Sequence, residues 1–194
     1  MKNYLFILVL LFSCSLTFAQ REETLFGDNG LKFSGIWGGW TNTFSSIDNE
    51  NIYFTGGYGG LEFGRRILVG YAGERLVNDT EFDAFEAQDF EMRYSGLLLG
   101  YAFNSHKLIH PRFTVLTGKG KIEFKGEDDA VKETFFTIQP ALGIELNIFK
   151  WIKLGLQGGY RFAMDVDTDR ISDNDLSEPF GSISLNFGLI WGRN

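Results

Sequence analysis

From Phe136 to Ile148 the chain alternates without a break. Phe136, Ile138, Pro140, Leu142, Ile144, Leu146 and Ile148 share one parity, and Thr137, Gln139, Ala141, Gly143, Glu145 and Asn147 the other. A period of two sustained this long specifies a strand, because a helix would mix the two sets around its circumference. The next segment repeats the pattern, with Ile152, Leu154, Leu156, Gly158, Tyr160 and Phe162 against Lys153, Gly155, Gln157, Gly159, Arg161 and Ala163. The last segment sets Ile183, Leu185, Phe187, Leu189 and Trp191 against Ser182, Ser184, Asn186, Gly188 and Ile190.

Earlier segments follow the rule with more noise. Leu97, Leu99, Tyr101 and Phe103 oppose Gly96, Leu98, Gly100 and Ala102, and Ile67, Val69 and Tyr71 oppose Leu68, Gly70, Ala72 and Glu74. Phe113, Val115 and Thr117 oppose Arg112, Thr114, Leu116 and Gly118, while Tyr53, Leu61 and Phe63 oppose Glu62. The first strand, residues 31–43, is so rich in Gly and Trp that its facing is open.

The connections divide by length. Residues 64–66, 104–107 and 149–151 read as tight turns carrying Arg65, Arg66, His106, Lys107 and Lys150; residues 44–51, 78–91, 125–133 and 165–178 read as long loops. An up-and-down barrel with an even number of strands and both ends on one side has this division. A soluble sandwich does not require it. The expected fold is all-β, an eight-stranded antiparallel up-and-down transmembrane β-barrel over residues 31–194, with large apolar residues facing lipid and a polar interior.

The ends fit that reading. Lys2, the apolar stretch Tyr4–Phe12 and Thr17-Phe18-Ala19 form a signal peptide over residues 1–19, followed by a periplasmic segment, 20–30. The apolar stretch is too short for a transmembrane helix, which needs about 20 residues. A competing reading lipidates Cys14, the only cysteine. With ordinary cleavage the remaining chain has no thiol chemistry and no disulfide. The net charge of −7 becomes −8 when Lys2 is removed, which argues against nucleic acid as a partner.

The runs Gln139–Asn147, Lys150–Gly155 and Gly159–Phe162 resemble the sixth and seventh strands of small outer-membrane barrel proteins of the OmpA/OmpX-like kind, especially those of Bacteroidetes-type bacteria. The ending Asn186–Trp191 resembles the glycine-plus-aromatic last strand read by the outer-membrane assembly machinery, although Gly192-Arg193-Asn194 follows the aromatic. The resemblance implies an outer-membrane location and a barrel, and no particular activity.

Six charged residues fall on inward faces: Glu62, Glu74, Arg112, Glu145, Lys153 and Arg161. The interior of an eight-stranded barrel is just wide enough for side chains to fill. Opposite charges there should pair, Arg112 with Glu145 in particular, because an unpaired buried charge is costly. The network is either structural packing or a gate. Asp165, Asp167 and Asp169 alternate like a calcium loop. Arg170 and Leu176 stand where an EF-hand needs Gly and Glu, which leaves at most a weak divalent-cation site. His106 and His110 sit near a short turn, away from any outward-facing active site. Gly35-Ile36-Trp37 is similar to the opening motif of lipocalins, which would place apolar residues inward around a ligand.

The expected function is therefore non-enzymatic: a barrel anchoring acidic surface loops, without a cofactor. Its partners are outer-membrane lipid and lipopolysaccharide, and the assembly machinery through the last strand, with the protein a monomer. The alternatives are a narrow pore and a soluble lipocalin-like carrier. Trp37, Trp40, Trp151 and Trp191 are expected at the membrane interfaces, as aromatic girdles are.

Overall fold

The computed structural model describes residues 31–47, 50–77, 89–125, 130–166 and 172–191. The strands are β1 (Phe33–Ile47), β2 (Glu50–Phe63), β3 (Ile67–Leu76), β4 (Asp89–Ala102), β5 (Ile109–Lys125) and β6 (Ala130–Phe149). They are followed by β7 (Ile152–Tyr160), which resumes past Arg161 as Phe162–Met164, and β8 (Pro179–Ile190). Each strand pairs antiparallel with its sequence neighbours, and β1 pairs with β8, so the sheet closes on itself. This is the expected eight-stranded up-and-down barrel. Closure satisfies the backbone ladder without leaving an edge, as a wall in hydrocarbon requires.

The turns follow from local chemistry. Gly64 and Arg65 both take positive φ, 58° and 56°, between β2 and β3. Glycine adopts that conformation at no steric cost, which lets the strands reverse within three residues. Asn104, at φ 52°, does the same between β4 and β5.

Two connections are shorter than their polar composition suggests. Ile47 pairs with Glu50 and Lys125 with Ala130, so most of the first and third expected loops is strand. The second begins its return at Asp89. The fourth contains a one-turn helix, Asp173–Leu176, started by the Ser172–Asp175 capping box, and Leu176 from it is buried.

The side chains explain why those segments are strands. In the lower barrel, toward the short turns, the large residues point out: Leu97, Leu99, Phe113, Leu142, Ile144, Leu156, Leu185 and Leu189 are all exposed. Their partners in alternation point in. A lipocalin-like arrangement would reverse this. Toward the loops, the same strands keep their period and exchange their polarity. On β4, Met92 and Tyr94 are buried while Glu91 and Arg93 are exposed. On β5, Ile122 is buried between exposed Lys121 and half-buried Glu123; on β6, Phe135 is buried beside exposed Thr134. This exchange is the pattern expected where the surrounding medium changes from hydrocarbon to water along a strand, which moves the favourable side for an apolar residue from the wall to the core. Ile52, Phe54, Met92, Tyr94, Ile122, Phe135 and Leu176 thus form the loop-side part of an apolar cluster that continues through Leu116, Leu98, Leu68 and Trp37.

One tryptophan expectation is corrected. Trp37 is 3 % exposed and points inward. It lies flat where a side chain on β8 would be, because a Cβ at Gly188 would come within 2.3 Å of its indole ring. Trp151 and Trp191 are exposed at the short-turn end, Trp151 stacked on Phe149 and Trp191 beside Phe33. Trp40 is exposed midway along β1. Phe44–Tyr53 and Tyr160–Phe162 form ring pairs on the loop side.

Candidate functional site: the charged interior

The structure divides the six inward charges into two groups. Glu62, Arg112, Glu145 and Lys153 converge in the lower lumen, where alternation on β2, β5, β6 and β7 points all four inward. Arg112 Nη1 is bonded to Glu145 Oε1. Lys153 Nζ lies 3.7 Å from Glu145 Oε2 and 3.6 Å from Glu62 Oε2. His110 Nε2 is 3.1 Å from Glu145 Oε2, and Asn186 Nδ2 donates to Glu145 Oε1 at 3.2 Å. Ser34 donates to Glu62 at 3.1 Å. Two carboxylates therefore face one guanidinium and one ammonium, and their formal charges cancel. Glu145 is the hub, meeting four neighbours.

The cations also rest on rings. Lys153 Nζ sits 4.1 Å from the centre of the Trp37 ring, and Arg112 lies 5.8 Å from that of Tyr58. A desolvated cation gains from a ring face. Trp37, Lys153, Glu62, Glu145 and Arg112 together leave a void of only about 10 Å³. Midway up the lumen, between Glu74 and Arg112, a second cavity of about 60 Å³ has room for a few waters.

Glu74 and Arg161 belong to the upper lumen. Glu74 accepts bonds from Tyr94 at 2.5 Å and Thr43 at 3.2 Å. Arg161 is fully buried, at the break in β7, where its backbone N–H donates to Glu178 O at 2.9 Å. Its guanidinium lies 4.7 Å from the Phe54 ring centre and 5.2 Å from that of Tyr94. None of its three nitrogens has a hydrogen-bond partner among the described residues. The ring faces pack it, and its charge acts on Glu74 and Tyr94. Arg161→Met, which keeps the volume but leaves Glu74 without that charge, is expected to lower stability in lipid vesicles. Arg161→Ala should fall about 2 kcal/mol below Arg161→Met through the cavity it opens. Urea titration of the three proteins checks the order.

Of the calcium-like triplet, only Asp165 is described. It is exposed and takes a positive φ of 63°. Asp167 and Asp169 lie outside the described residues, and no group of three metal-ligating side chains occurs among the described ones. His110 is the member that sequence reasoning missed. It shares parity with Arg112 and Thr114, and that signal was enough to place it inward. His106 lies in the turn between β4 and β5.

Together these features define a class: an eight-stranded membrane-type β-barrel with an apolar wall and a lumen filled by compensated charge. Solved structures of that class are similar to it. Neisserial surface protein A superposes with a TM-score of 0.61 at 12 % identity, covering 84 % of this chain and 100 % of that one. The N-terminal β-barrel domain of Pseudomonas aeruginosa OprF gives 0.56 at 8 % identity, covering 80 % and 99 %. Ail, the attachment invasion locus protein of Yersinia pestis, in complex with the heparin analogue sucrose octasulfate, gives 0.51 at 14 % identity, covering 81 % and 97 %. At such identities the likeness establishes the fold alone. In sequence, the chain matches no family model and no curated protein.

Proposed function

We propose that this protein is an integral outer-membrane barrel that serves as a plugged surface anchor, non-enzymatic and non-conducting, with its loop end outward and its short turns in the periplasm. The observation that carries the reading is the filled lumen. Neutralised charge packs the lower half, and Arg161 against the Phe54–Tyr94 ring pair fills the upper half. A conducting bore needs continuous water, and an eight-stranded barrel has little room for it once its side chains are in place. Two of the similar structures are named as a surface protein and an attachment protein, which agrees with a surface role. The loop end is then where contacts with lipid and external molecules are made. The last strand, with Phe187, Leu189 and Trp191 outward, suits entry through the assembly machinery, and the protein functions as a monomer.

The test has two arms. The protein should co-fractionate with outer membranes and change its gel mobility on boiling. The purified barrel should then give flat current traces in planar bilayers. Discrete current steps that shift in Arg112→Gln would replace the anchor by the narrow pore.

A further inference from the structure

The outer wall carries a basic row that the lumen does not explain. Arg75 on β3 stands directly opposite Arg93 on β4, and Arg93 opposite Lys121 on β5. Lys119, one outward position below Lys121, stands opposite Ser95. All four side chains are exposed, and none makes an ion pair or hydrogen bond among the described residues. Two carboxylates stand one outward position above the row: Glu123, held by Lys132 at 2.8 Å, and Glu91 opposite it on β4. Like charges directly opposite one another destabilise a sheet. An acidic chain of net charge −7 has set three of them side by side.

Their height is as specific as their sign. On β3 the outward residues run Ile67, Val69, Tyr71, Gly73, then Arg75. On β4 they run Tyr101, Leu99, Leu97, Ser95, then Arg93, and on β5 Phe113, Val115, Thr117, then Lys119 and Lys121. The bases begin where the apolar band stops, at the level where strand polarity exchanges sides. The four bases line a groove of about 690 Å³, together with Trp40, Gly73, Ser95 and the carboxylate of Glu74.

We infer that this row is a binding site for the phosphate groups of an anionic glycolipid in the leaflet that surrounds the loop end, with the groove receiving the headgroup beside the barrel wall. The inference rests on the outer-membrane reading above. Guanidinium groups match phosphate oxygens bidentately, and lysine adds a point charge. A bound phosphate also removes the mutual repulsion of the row. The unliganded site therefore costs stability that the ligand restores.

Native mass spectrometry of the barrel extracted from phosphatidylcholine nanodiscs doped with lipid A tests this. The natural protein should retain lipid A and release its dephosphorylated form. Each of Arg75→Gln, Arg93→Gln and Lys121→Gln should weaken retention about fivefold, the effect of one basic side chain near an anionic lipid surface. The quadruple variant with Lys119→Gln should lose it. In pure phosphatidylcholine vesicles, Arg93→Gln should instead unfold at a higher urea concentration, because the repulsion is gone. A residue that merely supports the wall would not give opposite signs in the two lipids. Equal retention by the quadruple variant overturns the site. So does retention that ignores dephosphorylation, or binding of a soluble sulfated sugar without preference for lipid A. A barrel that fails to enter bilayers defeats the outer-membrane reading, whereas one that inserts without lipid A preference defeats only this inference.

Discussion

Glu145→Gln is expected to lose about 3–5 kcal/mol of stability in refolding titrations into lipid vesicles, the usual cost of stripping one partner from a buried charge cluster. Glu145 is 2 % exposed and meets Arg112, His110, Lys153 and Asn186. The amide preserves the shape and removes the charge. Arg112 then faces no anion, and Lys153 keeps only Glu62 at 3.6 Å. Glu62→Gln should cost less, because among the described residues Glu62 meets Lys153 and Ser34 alone. The double variant Glu145→Leu, Arg112→Met provides the control. It removes one acid and one base, leaves the Glu62–Lys153 pair balanced, and should recover much of the loss. A gating role gives a different pattern: Glu145→Gln would stay stable and open current steps.

This arrangement explains why a narrow barrel tolerates so much interior charge. Each ion in the lower lumen is compensated within hydrogen-bonding or short Coulombic distance, and each cation is also backed by a ring. The upper lumen solves the same filling problem with apolar side chains. It can do so because its outer wall meets water, which leaves its inward face as the place where apolar area is removed from solvent.

The parts of the fold that were legible in the sequence are the stretches of strand that lie within the apolar band. β6, β7 and β8 pass through the apolar band with strict alternation, and their facing agrees with exposure at Leu142, Ile144, Leu156, Ile183 and Leu189. The segments 44–51 and 125–133 were not legible, because outward residues above the band are as polar as loop residues. At Met92, Tyr94, Ile122 and Phe135 the period survives while its phase inverts, and such an inversion reads as a loop where apolar residues are expected outside. β1 failed for a different reason. Trp37 and Trp40 differ by an odd number of positions and so face opposite sides, and the glycines between them give no alternation to decide which is inside.

The charged interior was legible to the extent that parity alone decides it. Glu62, Arg112, Glu145 and Lys153 all follow from counting by twos. That Glu74 and Arg161 form a separate group does not follow, because height in the barrel depends on register between strands. The basic row on the outer wall was invisible for the same reason. Arg75, Arg93 and Lys121 are far apart along the chain, and only the pairings of β3 with β4 and β4 with β5 bring them together.

Leu156→Arg is expected to cost about 2–4 kcal/mol in the same vesicle titrations, the penalty of a base on the lipid face near the midplane of a barrel. Leu156 is 58 % exposed, and its neighbours across the sheet, Ile144 and Ile183, are also outward and apolar. It lies between the Phe149–Trp151 pair at the turn end and Tyr160–Phe162 on the loop side, so an arginine there reaches neither interface by a short path. Gln157→Arg should be milder. Gln157 faces the 60 Å³ cavity that Glu74 and Glu145 also line, and it accepts a bond from Thr114 at 3.1 Å. An arginine there meets carboxylates, and its penalty is overpacking, about 1–3 kcal/mol. Thr134→Arg, on the outer wall beside Lys121, should cost about 0–1 kcal/mol, because it stands at the interface. The three values together measure depth as well as side. A large cost at Leu156 with little at Thr134 places hydrocarbon against the lower wall alone; equal costs at both would deny that the medium changes along the strands.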